Sequence, residues 1–124
     1  PKGRIDLVEG SKSATADAKR NFAAHSNVNI VTASVERAIT RIDGGDVVIL
    51  DPPREGAGKE VISELARIAP RVIVYVACDP AALARDTTYL HEVGYSLKQM
   101  RAFDLFPMTH HIESVAKFVP SKVS

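Results

Sequence analysis

Two apolar runs that do not alternate constrain this chain most: Val47-Val48-Ile49-Leu50 and Val72-Ile73-Val74-Tyr75-Val76. A strand with one wet face alternates apolar and polar residues, whereas a parallel strand covered by helices on both sides has no such need. With their flanks these runs predict strands over Asp46–Leu50 and Val72–Ala77, and two further short runs predict strands over Arg4–Val8 and Val28–Thr32. Between them the period lengthens. Ser13 is placed to cap a helix running to about His25, with Ala14, Ala18 and Phe22 on one side. Val61, Ile62, Leu65 and Ile68 form a helical stripe ended by Pro70. Leu83, Thr87 and Leu90 form another, closed by Gly94, and a shorter helix is expected between Val35 and Ile42. Strand–helix alternation of this kind predicts a doubly wound α/β sheet with right-handed crossovers. Toward the C-terminus the alternation stops, and extended segments over Ser96–Phe106 and Ile112–Val119 predict a C-terminal antiparallel strand pair.

The 124 residues suffice for one modest domain and not for two. A cofactor-binding α/β domain usually opens with a strand feeding a glycine-rich turn, and no such turn occurs here. The expectation is that residues 1–124 are the C-terminal part of a larger domain whose first strand and glycine-rich loop lie elsewhere. Two strand edges would then lack a partner, so the sheet is expected to close the gap directly or to borrow a strand from a second copy, as a homo-oligomer. No apolar run reaches bilayer length and no signal-peptide pattern is present, so no membrane partner is expected and a cytoplasmic location is. The formal charge of +1 neither demands nor forbids a nucleic-acid partner.

In open α/β sheets ligands bind beyond the carboxyl ends of the strands. Those ends here are Glu9, Ala33-Ser34, Asp51-Pro52-Pro53-Arg54 and Cys78-Asp79-Pro80. Glu9 offers two acceptor oxygens to a ribose, and position favours that role only slightly over a solvated acid before a helix. The two prolines stiffen the loop after Asp51, and Gly56 and Gly58 let it turn, so Asp51 and Arg54 are held at the sheet edge. Cys78 is the only cysteine, which excludes an internal disulfide. A lone cysteine is most often inert packing, but a position between a strand end and a helix start favours a reactive thiolate. The adjacent His110 and His111 point oppositely on extended chain and cannot easily share one ion, so no metal site is expected. Polar residues of that loop are better read as orienting Glu113.

Three blocks in order now carry a resemblance. They are Asp51-Pro52-Pro53-Arg54-Glu55-Gly56; Tyr75-Val76-Ala77-Cys78-Asp79-Pro80 through Leu83-Ala84-Arg85-Asp86; and Asp104-Leu105-Phe106-Pro107-Met108-Thr109-His110-His111-Ile112-Glu113. Together with Asp6-Leu7-Val8-Glu9 they resemble the RNA 5-methyluridine (uracil-5-) methyltransferases over nearly the whole chain. The resemblance implies a Rossmann-like S-adenosylmethionine-dependent methyltransferase fold and an RNA substrate, transfer or ribosomal, with the target uracil looped or flipped out. It implies that Cys78 is the nucleophile adding to carbon 6 of uracil and Glu113 the base removing the carbon 5 proton. It implies cofactor-binding roles for Glu9 and Asp51 and an organising role for Arg54. The family commonly has Ser-Cys-Asn where this chain has Ala77-Cys78-Asp79, a threonine at Ala82, and Gln, His or Tyr at Met108. Asp79 is the most consequential departure, because a carboxylate beside Cys78 opposes thiolate formation. Two alternatives stay open on the residues: a different class of methyltransferase, such as an amino-group enzyme, and a non-catalytic RNA- or protein-binding module of the same fold. The chain by itself is expected to be inactive.

Overall fold

The computed structural model describes residues 3–104 and 112–122. It divides into two compact units, Pro1–Ile42 and Asp43–Ser124.

In the first unit, strand β1 (Ile5–Glu9) and strand β2 (Val28–Thr32) pair in parallel, from Ile5 opposite Val28 to Glu9 opposite Thr32. Helix α1 (Lys12–Asn21) connects them, and α2 (Val35–Ala38) with a 3-10 turn (Ile39–Arg41) follows β2. Ser11 caps α1, not Ser13: its side chain accepts from the Ala14 N–H at 3.3 Å. The helix also ends earlier than expected, with Phe22 as its C-cap. Its buried residue is Thr15 and not the Ala14–Ala18–Phe22 side, since Phe22 stays 38% exposed. The alanines offer little apolar area, whereas Thr15 accepts a hydrogen bond from the Thr32 hydroxyl at 2.8 Å and so docks on β2.

The second unit holds β3 (Val47–Leu50), α3 (Lys59–Ile68), β4 (Val72–Ala77), α4 (Pro80–Glu92), β5 (Tyr95–Phe103) and β6 (Glu113–Pro120). The strand order is β3-β4-β6-β5; β3 runs parallel to β4, and β6 is antiparallel to both β4 and β5. The expected antiparallel pair is therefore present, with β6 seated between β5 and β4. The described strands make two separate sheets, one in each unit.

All four residues of the α3 stripe, Val61, Ile62, Leu65 and Ile68, are buried. They share the core with Ile73, Tyr75 and Ala77 of β4, Ala116 and Phe118 of β6, and Leu83 and Leu90 of α4. Helix α3 stops at Ile68 because Ala69 takes a left-handed conformation (φ 55°) and Pro70 cannot continue it. In α4 the stripe is Leu83, Asp86 and Leu90, while Thr87 turns its hydroxyl to the Leu83 carbonyl at 2.7 Å. Equal burial of both strand faces is not found. Burial alternates along β4, and Val47 and Ile49 of β3 are 46% and 70% exposed.

Because Phe118 is fully buried, Phe118→Ala is expected to cost about 3–5 kcal/mol of stability. Met100→Ala, at a side chain 53% exposed, is expected to stay within about 0.5 kcal/mol. Guanidinium unfolding curves measure both.

Candidate active site

Strand β4 delivers Cys78 to the sheet edge, and the chain then turns directly into α4. Asp79 takes extended backbone (φ −130°, ψ 115°) and caps the helix, its Oδ1 accepting the Ala81 N–H at 2.8 Å and the Ala82 N–H at 3.3 Å. Pro80 occupies the first turn, where a missing N–H costs nothing. This changes the meaning of the acid beside the thiol. The Asp79 carboxylate is committed to the helix N-terminus, whose dipole and N–H groups answer its charge. The free Cys78 is half-buried next to it.

Glu113 is half-buried and opens β6, paired with Phe103 of β5. On the other side of β6 the ladder with β4 runs from Ile73 opposite Phe118 to Ala77 opposite Ser114. Cys78 directly follows Ala77 and Glu113 directly precedes Ser114, so both lie next to the last pair of that ladder. Ala77 and Ser114 are buried, and Cys78 and Glu113 beside them are half-buried. The sheet face away from that core carries a depression of about 280 Å³ lined by Val74, Gln99, Arg101, Phe103, Val115 and Lys117. Its lining residue Phe103 pairs with Glu113.

Asp51 and Arg54 are exposed on the loop leaving β3, beside β4 at the same edge. The loop turns where the Gly56 N–H donates to the Pro53 carbonyl at 2.8 Å, with Gly56 at φ 89°. Asp51, Arg54 and Cys78 thus follow the carboxyl ends of the adjacent parallel strands β3 and β4, and Glu113 opens β6 at the same end of β4. Glu9 belongs to the first unit. It ends β1, and its Oε1 accepts the N–H of Ser11, the N-cap of α1, at 2.9 Å. His110, His111 and Met108 lie outside the described residues.

One acid escaped the sequence argument. Asp86 is fully buried and accepts from the Tyr75 hydroxyl at 2.5 Å and the Ala57 N–H at 2.7 Å. The available signal was its spacing, since it sits three residues after Leu83 and four before Leu90 on the apolar stripe.

The architecture is that of a Rossmann-like methyltransferase. The chain is similar to the solved structure of Aeropyrum pernix fibrillarin in complex with S-adenosyl-L-methionine, with a TM-score of 0.75 at 17% identity over 96% of this chain and 56% of that one. At that identity the likeness concerns fold alone. The sequence profile of the family described as tRNA (Uracil-5-)-methyltransferase matches residues 4–118, and the chain belongs to that family. It is 48% identical over 122 residues to an uncharacterized RNA methyltransferase of Streptomyces avermitilis, covering 97% of this chain and 28% of that protein. It is also similar to the Pyrococcus abyssi tRNA (uracil-54, C5)-methyltransferase solved in complex with S-adenosyl-L-homocysteine. There the TM-score is 0.82 and the identity 35%, over 94% of this chain and 29% of that one. The chain thus spans less than a third of the length of these two relatives. Among the described residues no helix is long and apolar enough to cross a membrane.

Two measurements test the site. Asp79→Ala is expected to lose about 1 kcal/mol of stability and Asp79→Asn almost none, because asparagine caps as well as aspartate; denaturant titration separates them. Burial first, and then the bond to Asp86, hold the Tyr75 hydroxyl protonated well above its ordinary range. Stability from that retained proton is complete below about pH 10 and is lost as pH rises toward the folded-state value. Unfolding curves taken at rising pH should therefore fall more steeply for the native protein than for Tyr75→Phe.

Proposed function

We propose that this chain carries the reacting groups of an RNA uracil-5-methyltransferase, acting on a uridine of transfer or ribosomal RNA through covalent addition of Cys78. The β4–β6 ladder supports this reading, because it ends at Ala77 opposite Ser114, with the thiol one residue beyond the first and the carboxylate one residue before the second. The same two residues fall in the blocks that resemble the family motifs.

The chemistry needs both. Carbon 5 of uracil is a weak nucleophile. When the Cys78 thiolate bonds to carbon 6, the carbon 5–carbon 6 electron pair moves toward the carbon 4 carbonyl, and carbon 5 becomes an enolate carbon. S-adenosylmethionine, the cofactor of the family, would supply the methyl group that carbon 5 takes up, the electron pair of the broken sulfur–methyl bond staying on sulfur to leave S-adenosylhomocysteine. Glu113 then accepts the carbon 5 proton. The released electron pair rebuilds the carbon 5–carbon 6 double bond and expels the Cys78 thiolate. A carboxylate is suited to this only if it reaches carbon 5 while the ring is held at carbon 6. Neighbouring positions on paired strands favour that geometry.

In the second unit, Asp51 presents an exposed carboxylate at the end of β3 as a cofactor-site acid. In the first unit, Glu9 uses one oxygen at Ser11 and has a second to offer a ribose hydroxyl. Arg54, exposed on the same loop as Asp51, supplies positive charge at the rim. The substrate base must leave any stack to meet groups at a sheet edge, so a looped or flipped uridine is the proposed target.

In the whole protein, Cys78→Ala is expected to abolish both methyl transfer and any RNA–protein adduct. Glu113→Gln is expected to form the methylated adduct and release it slowly, because addition and methylation precede proton removal. Denaturing gels with labelled RNA resolve these species. Substantial turnover by Cys78→Ala would reject covalent catalysis at this residue.

A further inference from the structure

Helix α4 carries an acid where a packing helix has no use for one. Asp86 lies between Leu83 and Leu90 on the buried stripe and is 0% exposed. Burying a carboxylate is costly, and a well-packed apolar residue at such a site is often as stable or more so. The partners of Asp86 indicate what its charge is for. Its Oδ2 accepts the Tyr75 hydroxyl at 2.5 Å and the Ala57 N–H at 2.7 Å. Its Oδ1 accepts Arg85 Nη2 at 3.0 Å and Nε at 3.3 Å. Arg85 Nη2 also donates to the Glu55 carbonyl at 2.5 Å, and the Ala57 N–H lies 3.3 Å from the Tyr75 hydroxyl oxygen. Two consecutive side chains of α4 thus grip a carbonyl and an N–H of the loop that follows Asp51. Between those two grips sits Gly56, where a Cβ would come within 2.6 Å of both Arg85 Nη2 and Asp86 Oδ2 and within 3.2 Å of Ala82 Cβ. The backbone approaches that closely because the residue is glycine, which also tolerates its φ of 89°.

We infer that Asp86, with Arg85 and Tyr75, is a positioning group that fixes the Asp51–Gly58 loop against the strand and helix flanking Cys78. Tyr75 lies on β4 three residues before the thiol, and Asp86 lies on the helix that Asp79 starts, so the clamp spans both sides of Cys78. It touches no reacting atom. It acts by keeping one spacing between the loop bearing the cofactor-site acid Asp51 and the segment bearing the nucleophile. The inference rests on the functional reading above and adds the residues that hold its two halves in register.

The test uses Arg85→Lys, Asp86→Asn and Gly56→Ala in the whole protein, with Leu90→Ala as a control that weakens the α4 core without touching the clamp. Displaced positioning groups cost activity far beyond their own contacts, so the KM for S-adenosylmethionine is expected to rise about tenfold or more in the three clamp variants. At saturating cofactor, kcat is expected to stay within about threefold. Leu90→Ala is expected to lower Tm and leave that KM unchanged. The Arg85 side chain is 43% exposed, so Arg85→Lys stays folded and decides the matter if Asp86→Asn does not express. An unchanged KM in Arg85→Lys overturns the inference, and so does a KM shift that Leu90→Ala reproduces at matched Tm. Calorimetry of S-adenosylmethionine binding separates the two levels. A native protein that binds the cofactor and methylates RNA, with clamp variants indistinguishable from it, overturns the positioning role alone. A native protein that does neither overturns the functional reading and this inference with it.

Discussion

The pairing of β6 with β4 is the interaction on which the second unit depends. It inserts the last strand between β4 and β5, and so gives both of them a neighbour. It also brings Ala116 and Phe118 beside Tyr75 and Ile73, where each of the four is at most 1% exposed. The same ladder ends one residue short of both Cys78 and Glu113. A slip of one residue would send Phe118 to the open face, because side chains alternate with a period of two. Core packing therefore fixes the register of the edge at which both candidate residues lie.

Within each unit the acids are sorted by what answers them. Asp79 is taken up by the N–H groups that open α4. Asp86 is buried and satisfied by a phenol, a guanidinium and a backbone N–H. Glu9 gives one oxygen to the start of α1. Asp51 stays exposed at its strand end, and Glu113 is half-buried. The acids with structural work are those whose partners are backbone groups near a helix start or a loop. Asp51 and Glu113, the acids proposed for the cofactor site and for proton removal, stand at strand ends. Arg85 shows the same division among the cations, since the bond to Asp86 reinforces its charge while Arg54 remains exposed.

What local patterning could determine, it determined. The β-branched runs locate β1 to β4 within a residue at each end, because a strand's apolar run and the turn residues bounding it are local properties. The α3 stripe was legible for the same reason: Val61, Ile62, Leu65 and Ile68 repeat at the helical period. The strand ends Asp51 and Cys78 follow from those boundaries. Where the pattern was weak, the reading failed. Helix α1 has no large apolar residue before Phe22, so its docking face was settled by the Thr32–Thr15 hydrogen bond to a strand that follows it in sequence.

Tertiary structure alone decided the rest. The order β3-β4-β6-β5 and the ladder that ends at Ala77 opposite Ser114 depend on pairing between segments far apart in the chain, and no period in either segment encodes its partner. The part played by Asp86 was hidden in the same way. The sequence shows an acid on an apolar stripe, a local contradiction. Only the fold brings Tyr75, Arg85 and the Ala57 N–H to it and resolves that contradiction, because a buried charge is tolerable only where distant groups converge to satisfy it.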